Sequence, residues 1–276
     1  MIDLKRRTAL VTGGTQGVGA AIAVALARCG AKVILHGLQA DSYASETLKL
    51  CQTYSPDCEL CCFDLAKSIP EIRDNFLAPL LLEHPDLSIA VCNAGIFIDP
   101  SFLDITEEGF DRTMHINVKV GFFLAQALSK HWVANRIDGR LLFTGSINGL
   151  LAEPDHAAYD TSKGAVAAMV RSLCVSLAPY KIRVNSIAPG LVRTPLTNQI
   201  LSTNPVALHW MQLHTPNGQV PEADVCGPTA AFLVSDLAGH IHGQTIYIDG
   251  GMSTWQQPDI PLEYRNGWNQ IGRAHV

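Results

Sequence analysis

The stretch from residue 8 to residue 30 limits the fold of this chain more than any other part of it. An apolar run, Thr8-Ala9-Leu10-Val11-Thr12, enters the glycine-rich turn Gly13-Gly14-Thr15-Gln16-Gly17-Val18-Gly19. An Ala- and Leu-rich segment over 18–29 follows, with no Gly or Pro after Gly19, and it stops at Gly30 in a C-cap position. The pattern predicts a strand, a tight turn and a helix. Apolar runs recur at 32–36, 58–64, 88–93, 140–145, 183–187 and 244–249, separated by helical stretches, notably 111–135 and 159–180. Strands alternating with helices predict βαβ units and a parallel sheet. The expected fold is α/β: a single doubly wound parallel sheet of about seven strands with helices on both faces. No repeat or low-complexity linker divides the chain, and ~250 residues is a common length for one α/β unit. Residues 1–252 are therefore expected to form one domain. Within it 193–222, rich in Pro and Asn, reads as an insertion that covers the substrate. Residues 253–270 read as a C-terminal extension.

Charge and cysteine content narrow the function classes. Twenty Lys and Arg against 25 Asp and Glu leave a net charge of −5, so no nucleic-acid partner is expected. No apolar run reaches the ~18 residues of a membrane span, so no membrane partner is expected. No signal sequence follows Met1, and a cytoplasmic location is expected. Of the eight cysteines only Cys58, Cys61 and Cys62 cluster, without a second ligand pair at zinc spacing. They read as small hydrophobes in reducing surroundings, and no metal is expected. The last six residues, Ile271-Gly272-Arg273-Ala274-His275-Val276, match the translation of one frame of a widely used sequencing adapter. They are expected to be non-native read-through and enter no fold argument.

The glycine-rich turn is suited to a nucleotide. Its glycines allow a sharp reversal, close approach of backbone to a pyrophosphate and close helix–strand packing. Phosphates placed there would meet free N–H groups and the positive end of the helix dipole. The spacing Gly13-x-x-x-Gly17-x-Gly19 also opens a series that runs through the chain in order. It continues with Asp64, Asn93-Ala94-Gly95, Asn117, Ser146, Tyr159-x-x-x-Lys163, Pro189-Gly190 and Thr194. On these motifs the chain resembles the short-chain dehydrogenase/reductase (SDR) family, over residues ~5–252. The resemblance implies a Rossmann-type fold, NAD or NADP as cofactor, hydride transfer between a secondary alcohol and a ketone, and a homo-oligomer, tetramer or dimer. It implies cofactor contacts from Gly13, Thr15, Gln16, Gly17, Val18 and Gly19 in the turn, and from His36, Gly37 and Leu38 after the second strand. Asp64 would meet the adenine, Asn93, Ala94 and Gly95 would flank the cofactor, and backbone around Val192 and the hydroxyl of Thr194 would meet the nicotinamide carboxamide or the diphosphate, with Leu65, Pro189 and Gly190 as further cofactor contacts. After the second strand a carboxylate would select NAD and an arginine NADP. His36-Gly37-Leu38-Gln39 supplies neither, and the choice stays open.

The chemistry needs a proton to move as the hydride does. A tyrosine hydroxyl has a free pKa of ~10 and must come down by roughly three units to act near neutrality. A cation at ~4 Å contributes ~4 kcal/mol at an effective dielectric of ~20, which is enough. Tyr159 and Lys163, four apart on a predicted helix, share a face. Tyr159 is thus the expected acid/base, with Lys163 tuning it and, with Tyr159, holding the ribose. Ser146 is expected to polarise the substrate oxygen, and Asn117 to hold a relay water. For substrate contacts Ser146, Asn148, Glu153 and Tyr159 stand out. The polar loop before Tyr159 and Trp210 suit a sugar or polyol. Leu150, Leu151, Leu196, Ile200 and Leu201 would suit a 3-oxoacyl group on acyl carrier protein or coenzyme A, or a similar ketone. A non-catalytic cofactor-binding redox sensor is the remote alternative, since such a protein would be expected to lose Ser146, Tyr159 or Lys163.

Overall fold

The computed structural model describes residues 2–98, 100–195, 197, 198, 201 and 204–255. Seven strands form one sheet in the order β3-β2-β1-β4-β5-β6-β7. They are β1 (Thr8–Val11), β2 (Lys32–Gly37), β3 (Glu59–Cys62), β4 (Leu87–Cys92), β5 (Arg140–Thr144), β6 (Arg183–Pro189) and β7 (Thr245–Ile248). Every pairing is parallel. The strand order reverses between β1 and β4, and a crevice opens beyond the carboxyl ends of the strands at such a point.

All four residues of β1 are buried, as expected of a strand covered on both faces. Alternate side chains serve two cores. Ala9, Val11, Val33 and Leu35 pack with α1 (Gly17–Arg28) and with the helix Cys226–Val234. Leu10, Ile34 and Ala90 face Leu124, Leu128 and Trp132 of Gly121–Asn135 and Val166 and Val170 of Ala157–Leu177. Between α1 and these come α2 (Ser42–Tyr54), α3 (Ile69–Ile72), α4 (Ala78–Glu83) and α5 (Glu107–Met114), so the later helices are α6 (Gly121–Asn135), α7 (Ala157–Leu177), α8 (Pro205–Leu213) and α9 (Cys226–Val234).

Besides shifts of a residue or two at strand ends, three features depart from the sequence reading. The stretch expected to run as one helix over 111–135 starts at Glu107, because Thr106 Oγ1 accepts from Gly109 N at 3.1 Å and caps the first turn. Between α5 and α6 it widens into a π-helical turn, His115–Val120. Secondly, α7 starts at Ala157, two residues before Tyr159. Thirdly, residues 193–222 hold a helix. Asn204 Oδ1 accepts from Val206 N at 3.1 Å and Pro205 stands at the first turn, together a helix start signal. Residues 256–276, which include most of the expected extension and the suspected read-through, lie outside the described residues, as do Leu196 and Ile200.

The cysteines are all free thiols among the described residues. Cys58 and Cys51 are buried against one another, whereas Cys62 at the end of β3 is exposed. His84, at the end of α4, is buried, with Nε2 2.6 Å from Glu59 Oε1. Glu59, Glu83 and His84 bring three donor atoms within 4.8 Å, and the Lys32 ammonium lies 3.6 Å from Glu59 and balances it. No helix among the described residues is long and apolar enough to cross a membrane.

Candidate active site

A cavity of about 540 Å³ lies beyond the carboxyl ends of β1, β2 and β4. Its walls include Gly13, Thr15, Gln16, Gly17, Val18 and Gly19, then His36, Gly37, Leu38, Asp64 and Leu65, and Asn93, Ala94, Gly95 and Thr194. These are fifteen of the residues expected to hold a cofactor. Of the remaining five, Tyr159 and Lys163 lie on α7, Pro189 ends β6, and Gly190 and Val192 follow it; none of the five lines this cavity.

The turn is built for an occupant without side chains of its own in the way. A Cβ at Gly19 would stand 2.0 Å from Gly13 O and 2.4 Å from Asn93 Nδ2, so only glycine fits. Gly13 and Gly17 have φ of 60° and 56°, in the left-handed region. The rest of the turn is cross-braced. Asn93 Nδ2 donates to Thr12 O and Gly13 O, both at 3.0 Å, and Thr12 Oγ1 accepts from Asn93 N and Ala94 N at 3.0 and 3.1 Å. Across the mouth, Thr194 lies about 3.4 Å from where a Gly17 Cβ would be, and Thr197 Oγ1 ties Val192 O and Thr194 N together. This cradle fits the pyrophosphate of a dinucleotide.

His36 does a job the sequence did not reveal. Its Nδ1 accepts from Gly13 N at 3.3 Å, and its Nε2 lies 3.0 Å from Phe63 O. A carbonyl can only accept, so Nε2 carries the proton and Nδ1 is the acceptor. The His36 carbonyl also takes Gly14 N at 2.8 Å. One residue of β2 therefore holds two N–H groups of the turn. Burial pushes its pKa down to about 4, so the ring is neutral near pH 7. Gly37, next to it, has Thr15 Cγ2 2.6 Å from the position of a Cβ, which leaves no room for an acidic side chain there.

The four residues expected to carry the reaction come from three elements. Ser146 follows β5 and caps a short 3₁₀ turn, Ile147–Gly149, its Oγ accepting from Asn148 N at 3.1 Å. A Cβ on Gly149 would stand 2.9 Å from Lys163 O, so the missing side chain lets this turn seat on α7. Lys163 is buried, its Nζ donating to Thr144 O at 3.0 Å and lying 5.4 Å from the centre of the Tyr159 ring. Burial pushes its pKa down to about 8, which still leaves it mostly cationic at pH 7. Asn117 lies in the π-helical turn, and its side chain makes three bonds to protein groups. Oδ1 accepts from Ile96 N at 2.8 Å, while Nδ2 donates to Ile96 O at 2.9 Å and to Ser162 Oγ at 3.0 Å. Ser162 in turn donates to the Tyr159 carbonyl at 2.7 Å, linking the loop after β4 to the helix that carries Tyr159 and Lys163.

Sequence reasoning missed several neighbours of this set. Phe97 sets its ring 5.0 Å from Tyr159, edge-on, and 4.9 Å from His156. Asp160 accepts from Asn148 Nδ2 at 2.8 Å and from Glu153 N at 3.3 Å. Nothing in the local pattern marks Phe97, but Asp160, an acidic residue beside Tyr159, was a visible signal. Of the expected substrate contacts, Asn148 is buried and turned toward Asp160, and Glu153 Oε2 lies 3.5 Å from His156 Nε2. Trp210 stacks on His214, ring centres 4.1 Å apart, one turn along α8.

A Rossmann-type sheet with a glycine cradle at its strand-order reversal, beside a buried lysine and a tyrosine on one helix, defines a nicotinamide-dependent oxidoreductase. A family profile described as "Enoyl-(Acyl carrier protein) reductase" matches residues 13–253. The chain is 34% identical over 252 residues to a 3-oxoacyl-[acyl-carrier-protein] reductase of Rickettsia felis, covering 91% of this chain and 99% of that one. It is 30% identical to a glucose 1-dehydrogenase of Gluconobacter oxydans, covering 94% of each. It is 32% identical to an L-rhamnose 1-dehydrogenase (NADP(+)) of Thermoplasma acidophilum, covering 91% and 98%. Among solved structures, the RhlG/NADP active-site complex of Pseudomonas aeruginosa aligns with a TM-score of 0.82 at 30% identity, over 91% of this chain and 98% of that one. The chain belongs to the short-chain dehydrogenase/reductase family.

Proposed function

We propose that this dehydrogenase interconverts a secondary alcohol and a ketone on a sugar or polyol. The observation that carries the reading is the polar wall between Ser146 and Tyr159, where Asn148, Asp160, Glu153 and His156 form a bonded network. The half-exposed Glu153 and His156 of this wall offer hydrogen bonds to substrate hydroxyls. Bound NAD or NADP supplies the hydride acceptor or donor. Tyr159 takes or returns the carbinol proton, Lys163 lowers the cost of the phenolate by its charge, and Ser146 hydrogen-bonds the substrate oxygen. Asn117 spends its side chain on Ile96 and Ser162, so a relay water would rest on its main-chain carbonyl in the π-helical turn. Residues 193–222, with α8, would close over the substrate and exclude water. The free cysteines accord with a reducing cytoplasm. The apolar groove between α6 and α7, lined by Phe122, Val133, Leu173, Leu177 and Tyr180, suits self-association into the dimer or tetramer.

The 3-oxoacyl alternative rests on the Rickettsia felis relative and on Leu150, 58% exposed in the same loop. One experiment separates the two. Absorbance of the reduced nicotinamide is followed with NAD and NADP separately over sugars, polyols and simple secondary alcohols, and in reverse over ketones and 3-oxoacyl thioesters. Turnover of sugars or polyols is the expected result. Turnover confined to thioesters would replace the polyol reading, and cofactor binding without any turnover would leave the sensor.

The adenosine end of the cavity predicts weak discrimination between cofactors. Gly37 offers no carboxylate to a ribose 2′-hydroxyl, and Asp41, farther along the rim, caps α2 by accepting from Ala44 N through Oδ1 at 2.9 Å. Leu38 is 67% exposed at the rim, where an arginine would meet a 2′-phosphate. Leu38→Arg is expected to tighten NADP binding about tenfold and leave NAD unchanged, since a hydrogen bond to a charged group contributes ~1.5–3 kcal/mol. Fluorescence titration with each reduced cofactor checks it.

A further inference from the structure

We propose that Thr144 is a positioning residue that holds one buried water between β5 and the π-helical turn, a role that rests on the reading of Asn117 as the support of a relay water. Thr144 Oγ1 is buried and meets no hydrogen-bond partner among the described residues. Thr144 lines a cavity of about 10 Å³, together with Asn117, Val166, Thr12 and Cys92. That space suits a single water, which needs roughly 10–15 Å³ and two to four polar partners. Thr144 ends β5 and pairs with Ile187 of β6, so the sheet fixes its backbone. Its carbonyl accepts from Lys163 Nζ at 3.0 Å, and Val166 follows Lys163 by one turn of α7. Thr144 thus joins the cavity to the lysine that tunes Tyr159. The other polar side chains at the walls are engaged. Thr12 Oγ1 is bonded to Val91 O, Asn93 N and Ala94 N, the Asn117 amide to Ile96 and Ser162, and Cys92 Sγ lies 4.0 Å from Gly121 O. A water on Thr144 Oγ1 would find its further partners in the Asn117 carbonyl and in Lys163, whose ammonium has three protons and gives one to Thr144 O. In alcohol oxidation the proton taken by Tyr159 must reach solvent before the next turnover, and a water beside Lys163 stands on that route.

The hydroxyl and the shape of Thr144 can be removed separately. Thr144→Val keeps the branched side chain and loses the hydroxyl, whereas Thr144→Ser keeps the hydroxyl and loses a methyl. A bare buried hydroxyl costs stability, and one bonded to a trapped water contributes to it, so the two cases give opposite signs when the hydroxyl is removed. Thermal unfolding of the full chain is measured for wild type and both variants. Turnover follows on the substrate found by the panel above, with kcat and KM separated, beside titration of the reduced cofactor. Thr144→Val is expected to lower the melting temperature by ~2–4 °C, the shift that one lost hydrogen bond gives in a chain of this size. Its kcat for alcohol oxidation is expected to fall about tenfold, a part of the ~10²–10⁴-fold that acid–base catalysis contributes, with KM and cofactor affinity unchanged. Thr144→Ser is expected to keep kcat within about twofold although it loses packing. A melting temperature that is unchanged or higher in Thr144→Val would overturn the water. Wild-type kcat in Thr144→Val, or an equal loss of kcat in Thr144→Ser, would overturn the positioning role. A wild type that turns over no substrate would remove the dehydrogenase reading and the relay with it, while the sign of the melting shift would still decide the water.

Discussion

Tyr159→Phe is expected to lower kcat by about 10³-fold while leaving cofactor binding and the fold intact, because general acid–base catalysis contributes ~10²–10⁴-fold. The ring itself is held by the edge contact with Phe97 at 5.0 Å and by the start of α7, and phenylalanine keeps both. Only the hydroxyl is lost. Lys163, with its pKa brought down to about 8 by burial, is then left with no phenolate to support. Steady-state rates beside a cofactor titration give the test. Wild-type kcat in the variant would show that the proton moves elsewhere, and lost cofactor affinity would show that Tyr159 belongs chiefly to the binding site.

The second large effect is an acid instability traceable to His36. In the unfolded chain a histidine takes up a proton near pH 6.5; in the fold burial holds His36 neutral down to about 4. Its folded pKa is the lower one, so its contribution is fully present above pH 6.5 and is lost as the pH falls toward 4. The loss amounts to about 3 kcal/mol, a value set by the gap between the two pKa values. Protonated Nδ1 could no longer accept from Gly13 N, so the glycine-rich turn should loosen in the same window. Denaturant unfolding at pH 7, 5.5 and 4 is the measurement, with His36→Gln as the reference chain. The wild type should lose about 3 kcal/mol more than the variant across that range. Parallel curves for the two proteins would place the acid sensitivity at other groups.

Much of this protein is legible in the sequence because its signals are local. Strand, glycine turn and helix over residues 8–30 fix a βαβ start, and alternation carries that grammar to β7. The same holds for the tyrosine and lysine four apart on α7, since helical geometry alone puts them on one face. The earlier start of the 111–135 helix, at Glu107, and the helix within 193–222 are governed by caps at Thr106 and Asn204, signals weaker than the apolar runs nearby.

What only the tertiary structure decided are contacts between residues far apart in the chain. His36 reaches Gly13 from the neighbouring strand, and Asn117 clamps Ile96 and Ser162 from a π-helical turn that no periodicity marks. Asp160 finds Asn148 only because Gly149 lets the turn after β5 lie against α7. Residue spacing sets which side chains share an element; the direction in which a hydrogen bond runs between elements depends on their packing, and that is settled only once the chain has folded.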